Sequence, residues 1–324
     1  MIAFKTLAAS LGLALLALSG QLVAAQTPPG KQIRIIVPFP PGGSADVIAR
    51  LLGQQATQGG GPSILVENRP GGGTIIATEL VAKSPPDGTT LLLMANSFVI
   101  NASVRANLSY DPLTSFDPVC LLVQSPQILV VNSASPFRTL GEFVDAARAK
   151  PAELSYAAVG PATTQHIAME QFKGLAKINV TYVPYTGGAP AINALLGGHV
   201  VAVLANYSEM TEQLAAGKLR ALAVATSERF EPLRAVPTFI ELGYKDYAVT
   251  AWFGVVAPAK TPNETLAQLN TMFTSALQAP DVKSKFTAQG LYPVGTCGSA
   301  FAAHLKAQHA DYARIVREAG VKAE

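Results

Sequence analysis

Ser44, Thr163 and His166 are the side chains whose types could support nucleophilic chemistry, a hydroxyl activated by an imidazole. No nucleophile elbow frames either hydroxyl, and a hydrolase reading would rest on Ser44 or Thr163 with His166 and nothing else. The sequence also lacks a Walker A motif, a dinucleotide fingerprint and a zinc-protease helix. Its four histidines, His166, His199, His304 and His309, never recur at the i, i+4 spacing that puts two ligands on one helix face. Catalytic residues, metal ligands and cofactors are therefore all assigned as none. His199 beside Gly198 reads as a turn residue, and His304 and His309 as residues of an exposed helix. His166 falls in the first turn of a helix behind a polar glycine loop, a place that suits either a ligand contact or a locally hydrogen-bonded ring.

The chain does offer loops that expose backbone donors. In Pro40-Pro41-Gly42-Gly43-Ser44-Ala45-Asp46 the glycines uncover N–H groups, and the helix that follows adds a partial positive charge of about half a unit. The loop contains no Lys or Arg, so a carboxylate suits it better than a multiply charged nucleotide; Asp46, alternatively, simply caps the helix. Gly160-Pro161-Ala162-Thr163-Thr164-Gln165-His166 and Pro184-Tyr185-Thr186-Gly187-Gly188 are similar loops before helices. Three such loops would converge on a cleft at the carboxyl ends of strands.

The elements that must position them alternate. Strands are predicted at Ile33 to Val37, Ile64 to Val66, Thr90 to Met94, Val119 to Val123, Ile128 to Val131, Leu154 to Ala158, Val180 to Val183, Val200 to Leu204, Leu222 to Ala225 and Trp252 to Val256. Helices are predicted from about Ser44, Thr74, Thr139, Thr163, Ala189 and Ser208, and then over 263–277, 281–289 and 299–319. Thr139 with Glu142, and Thr261 with Glu264, read as capping boxes. The alternation argues for an α/β protein with two mostly parallel sheets and chain crossings near 125 and 250.

With 324 residues, 49% hydrophobic and 14% charged, the chain can bury a sizeable core. Lys plus Arg number 24 against 21 for Asp plus Glu, without runs, which excludes the basic footprint of a nucleic-acid binder. Lys5 precedes an apolar run from Leu7 to Leu18, and Val23, Ala24 and Ala25 follow, so residues 1–25 read as a signal peptide cleaved after Ala25. That run falls short of the roughly 20 residues needed to span a bilayer, so no stable membrane insertion is expected after cleavage. Cys120 and Cys297 are too few for a disulfide framework, and the sequence leaves open whether they pair.

Ile33-Arg34-Ile35-Ile36-Val37-Pro38-Phe39-Pro40-Pro41-Gly42-Gly43-Ser44-Ala45-Asp46-Val47-Ile48-Ala49-Arg50 resembles the opening motif of the Bug family, periplasmic receptors of tripartite tricarboxylate transporters. Further matches, in order along the chain, are Val66 to Gly73, Pro85 to Leu92, Val183-Pro184-Tyr185, Gly217 to Ala223 and Trp252 to Pro258. The resemblance implies a two-domain periplasmic-binding-protein fold (type II-like), with a two-strand hinge and a ligand cleft between the domains. Domain 1 would combine 26–125 with 251–324, and domain 2 would span 126–250. It implies a small carboxylate held by amides of the opening loop, here Phe39, Pro41, Gly42, Gly43, Ser44 and Ala45, and by Gly160, Thr163, His166, Tyr185 and Thr186 from the opposing domain. Delivery to membrane permease subunits from the periplasm follows from the same resemblance; a sensor that passes the solute signal to a partner without transport fits the same residues.

Several positions depart from the family pattern. Ala162 stands for a second glycine, Thr163 for a serine, Thr186 for a basic residue, and Val201 and Ala205 for acidic ones. With no acid near Asn206, a ligand ammonium has no expected partner, and two helix N-termini would supply about one positive unit. The expected preference is thus a monocarboxylate or weakly charged dicarboxylate over citrate and free amino acids, with Asn96, Ser97 and Asn206 bonding its uncharged end. A Cβ on Gly42 would be expected to crowd the anion.

Overall fold

The computed structural model describes residues 32–321. The signal peptide expected over 1–25 lies outside the described residues. Strand β1 (Ile33–Val37) is the five-residue run IRIIV, flanked in parallel by β2 (Ile64–Asn68) and β3 (Thr90–Ala95). Its period-two alternation sends Ile35 and Val37 into one core and Ile36 into another, so both faces of the strand are buried. Helix α1 (Ser44–Gln58) covers the first face with Ala45, Ile48, Ala49 and Leu52. Helices α2 (Ile75–Ala82) and α3 (Ser97–Val104) pack on the second.

Strand β4 (Phe116–Asn132) then runs through two sheets. Its first part, Phe116 to Pro126, pairs antiparallel with β9 (Thr250–Pro258), which in turn lies against β3; its last part, from Gln127, pairs with β7 (Ala202–Asn206) and β8 (Leu219–Val224). The second sheet continues in parallel from β7 to β5 (Ser155–Val159) and β6 (Thr181–Tyr185). Leu129 and Val131 face one core of this lobe, while Ile128 and Val130 face the other. Helices α4 (Leu140–Ala149), α5 (Thr164–Ala176), α6 (Gly188–Leu196) and the short α7 (Thr211–Ala215) connect its strands. Helices α8 (Asn263–Gln278) and α9 (Pro280–Ala288), an edge strand β10 (Tyr292–Cys297) and α10 (Gly298–Glu318) follow β9.

Most predicted elements are present, and four expectations need correction. The sheets are mixed rather than mostly parallel, because β4 and β9 run against their neighbours. Val119 to Val123 and Ile128 to Val131 belong to one strand, with Ser125 and Pro126 paired to Ala251 and Thr250. Helix α3 and strand β10 were not anticipated. Thr261 does not cap α8; its hydroxyl donates to the Pro258 carbonyl at 2.7 Å, whereas Thr139 and Glu142 form both arms of a capping box. A disulfide joins Cys120 on β4 to Cys297 at the end of β10, the paired position in the ladder. No helix among the described residues is long and apolar enough to cross a membrane.

Candidate functional site

A cleft of about 600 Å³, its open mouth included, lies between the lobes at the carboxyl ends of the parallel strands. Its walls include the opening loop (Phe39, Pro40, Pro41, Gly43, Ser44, Ala45), Ser97, Thr163 to Gln165, Gly187 to Pro190, Asn206 and Glu209. Four helices therefore present their first turns to it: α1 at Ser44, α3 at Ser97, α5 at Thr164 and α6 at Gly188. First-turn N–H groups have no partner within their helix. At about half a positive unit each, four ends supply about two units, twice what two loops would give. No Lys or Arg is among the lining residues.

The local chemistry explains why the opening loop keeps its shape. Asp46 turns back and accepts from the Gly42 amide at 3.0 Å, from Arg50 at 3.0 Å and from Asn68 at 3.0 Å, while Asn68 also donates to the Phe39 carbonyl. Burial opposes ionisation of Asp46, but these hydrogen bonds outweigh it and hold the carboxyl below its ordinary range. Thr163 caps α5, accepting from the His166 amide at 3.4 Å and donating to the Gly160 carbonyl at 3.1 Å. Ala162 sits at φ 58°, left-handed backbone that favours glycine.

Of the anticipated residues, Phe39, Pro41, Gly43, Ser44, Ala45, Ser97, Thr163 and Asn206 are brought together in the cleft. Gly160, Tyr185 and Thr186 line a neighbouring open groove of about 1120 Å³, solvent at its mouth included, that shares Phe39, Pro40, Val159 and Thr163 with it. Three are placed elsewhere. Gly42 is not among the lining residues: its amide is spent on Asp46, a Cβ built on it meets no protein atom within 4 Å, and φ +85° disfavours other residues. Asn96 is fully buried and uses its carboxamide on the Trp252 amide (2.9 Å), the Thr250 carbonyl (3.2 Å) and the Tyr312 hydroxyl (2.9 Å), pinning α3 to β9 and α10. His166 lies behind the wall, stacked on Tyr182 with ring centroids 4.2 Å apart, and burial lowers its pKa. Neither the Ser44 nor the Thr163 hydroxyl is hydrogen-bonded to its ring among the described residues; Nδ1 has no partner at all.

Across the cleft the lobes touch through polar groups. The Ser44 and Ser208 hydroxyls are 2.7 Å apart, Asn206 donates from Nδ2 to Ser44 Oγ (3.2 Å) and Glu209 Oε1 (3.3 Å), and Gln127 donates to Asn206 Oδ1. Glu209 overturns the expectation that no acidic group stands near Asn206. It ends a 3-10 turn, Tyr207–Glu209, immediately after β7, and it is the one ionisable side chain among the lining residues. Burial pushes its carboxyl up to about 7, against hydrogen bonds from Asn206 and Ser44 that pull the other way.

The sequence matches the family described as "Tripartite tricarboxylate transporter family receptor" over residues 48–321. It is 35% identical over 302 residues to protein BugT of Bordetella pertussis, covering 93% of each chain. Among solved structures it resembles the periplasmic binding protein BugD (TM-score 0.87, 30% identity, 91% of this chain and 100% of that one). It is equally similar to Rpa4515 of R. palustris with adipate (TM-score 0.87, 33% identity, 91% of this chain and 99% of that one).

Proposed function

Because the chain belongs to the tripartite tricarboxylate transporter receptor family of periplasmic solute-binding proteins, we propose that it captures a small carboxylate between two closing domains and delivers it to the permease subunits of such a transporter. The observation that carries this reading is the convergence of four helix N-termini on a cleft whose lining has no Lys or Arg. The first-turn amides of α1 and the Thr163 and Gly187-Gly188 loops would hold the carboxylate. Adipate in the similar Rpa4515 supports the ligand class. Domain 1 would comprise 26–125 and 251–324, and domain 2 would comprise 126–250, with β4 and the start of β9 as the crossings. Ligand would favour the closed state by contacts made only there. The protein would bind its solute without transforming it, in the periplasm, after cleavage near Ala25.

Thermal melting of ligand-free protein with adipate and other mono-, di- and tricarboxylates tests the reading. A hundredfold excess over the dissociation constant should stabilise by about 2.7 kcal/mol. No shift with any acid would assign the cleft to another class of solute.

A further inference from the structure

Glu209 is attached to one lobe and bonded to the other. Its Oε1 accepts from Asn206 Nδ2 at 3.3 Å and from Ser44 Oγ at 3.4 Å, whereas Oε2 is buried without a hydrogen-bond partner among the described residues. That second oxygen lies against Gly188, itself a wall of the cleft, so closely that a Cβ on residue 188 would stand 2.3 Å from it. An ionised carboxylate with one buried oxygen unpaired is costly. A proton relieves the cost, and it belongs on Oε2 because Oε1 already accepts twice. The result is a donor that Gly188 covers in this arrangement and that still needs an acceptor; turning the carboxyl about its own bond would bring the proton to the cleft wall that Glu209 lines.

Among the described residues, nothing charged nearby competes for that proton. The charges at the start of α1, Asp46 and Arg50, are paired with each other at 3.0 Å. Helix α6 and strand β7 carry no ionisable residue, β4 offers Gln127 at this point, Tyr207 is a phenol whose own pKa burial raises, and Glu212 on α7 is exposed.

We propose that Glu209 determines which ligands the cleft accepts: as a carboxylic acid it donates its O–H to a carboxylate oxygen of the bound solute, so that solute and side chain share one proton. The inference rests on the carboxylate reading of the cleft and deepens it. Two carboxyl groups then meet over the helix ends with a single negative charge between them, and a proton from solvent accompanies any ligand that binds while Glu209 is ionised. Four helix ends supply about two positive units, so about one unit remains after that single charge, enough for a second carboxylate. The ligand class is a dicarboxylate rather than an amino acid, whose ammonium would require Glu209 ionised.

Calorimetric titration of the purified protein and of Glu209→Gln with adipate, from about pH 5.5 to about pH 8.5, is the test. Wild-type affinity should fall about tenfold per pH unit once Glu209 ionises, while the variant stays flat and binds more tightly than wild type at the alkaline end. Parallel pH slopes in the two proteins, or glutamate binding wild type more tightly than adipate, would overturn the assignment while leaving the carboxylate cleft intact. Absence of adipate binding to both proteins at every pH would instead remove the reading beneath it. Infrared spectroscopy of wild type supplies a measurement that needs no variant: a carboxylic-acid carbonyl band near pH 6 (about one unit below the ionisation) should shift when adipate is added, and its absence counts against the proposal.

Discussion

Glu209 also ties the free protein's stability to pH. Its folded pKa, about 7, lies above the usual glutamate value near 4.5, so the folded state holds a proton that the unfolded chain releases. The associated stability is complete below about pH 4.5 and is lost as pH rises through about 7. Glu209→Gln should therefore melt close to wild type near pH 4.5 and higher than wild type near pH 8, with the gap opening between; a constant gap across that range would contradict the assignment. His166 works in the opposite sense, since burial lowers its pKa and unfolding is favoured once pH drops below the usual histidine range. The opening loop and Thr163 were legible because glycine turns and caps leave a local pattern. Glu209 was not, because its importance comes from a 3-10 turn that folds the third residue after Asn206 back toward the cleft. A usable signal was present nonetheless: an acidic residue in the loop that leaves the carboxyl end of a strand, the end at which ligands bind in such sheets.

Among the elements, the two threonine-glutamate spacings show what local sequence can decide. At Thr139 the side chain accepts from the Glu142 amide at 3.2 Å and Glu142 returns to the Thr139 amide, so Thr139→Ala should cost about 1 kcal/mol in a urea melt. Thr261 has the same spacing, but Pro262 precedes the helix with non-helical dihedrals, and Asp117 on β4 takes the Thr261 amide at 2.9 Å. The tertiary partner wins over the local one. Strand β10 escaped notice for a related reason: Pro293 and Gly295 argue against a strand, and only pairing with β4 at the sheet edge holds it. Helix α3 begins directly at the end of β3, after only Asn96, and its apolar run gives no turn signal to separate the two. The buried Asn96 carboxamide fixes that junction from three sides.

At the scale of the whole molecule, the sheet order places β9 between β3 and β4, although more than a hundred residues of chain separate it from either one. Every strand of the second sheet beyond β4, by contrast, lies between Ser155 and Val224. Loop closure must be met before distant pairings return any stabilisation, so local pairings form sooner. A chain delivered N-terminus first would present β1, β2 and β3 with an unfilled edge until Thr250 to Pro258 emerged, and the Cys120–Cys297 bond could close only after β10 had followed. Pulse-labelled hydrogen exchange during refolding should find amides of β5 and β7 protected before those of β3; simultaneous protection would mean that the lobes assemble as one unit. On this topology the lobe that begins the sequence is the last to be finished, and the chain spends that interval with an open strand edge in need of cover.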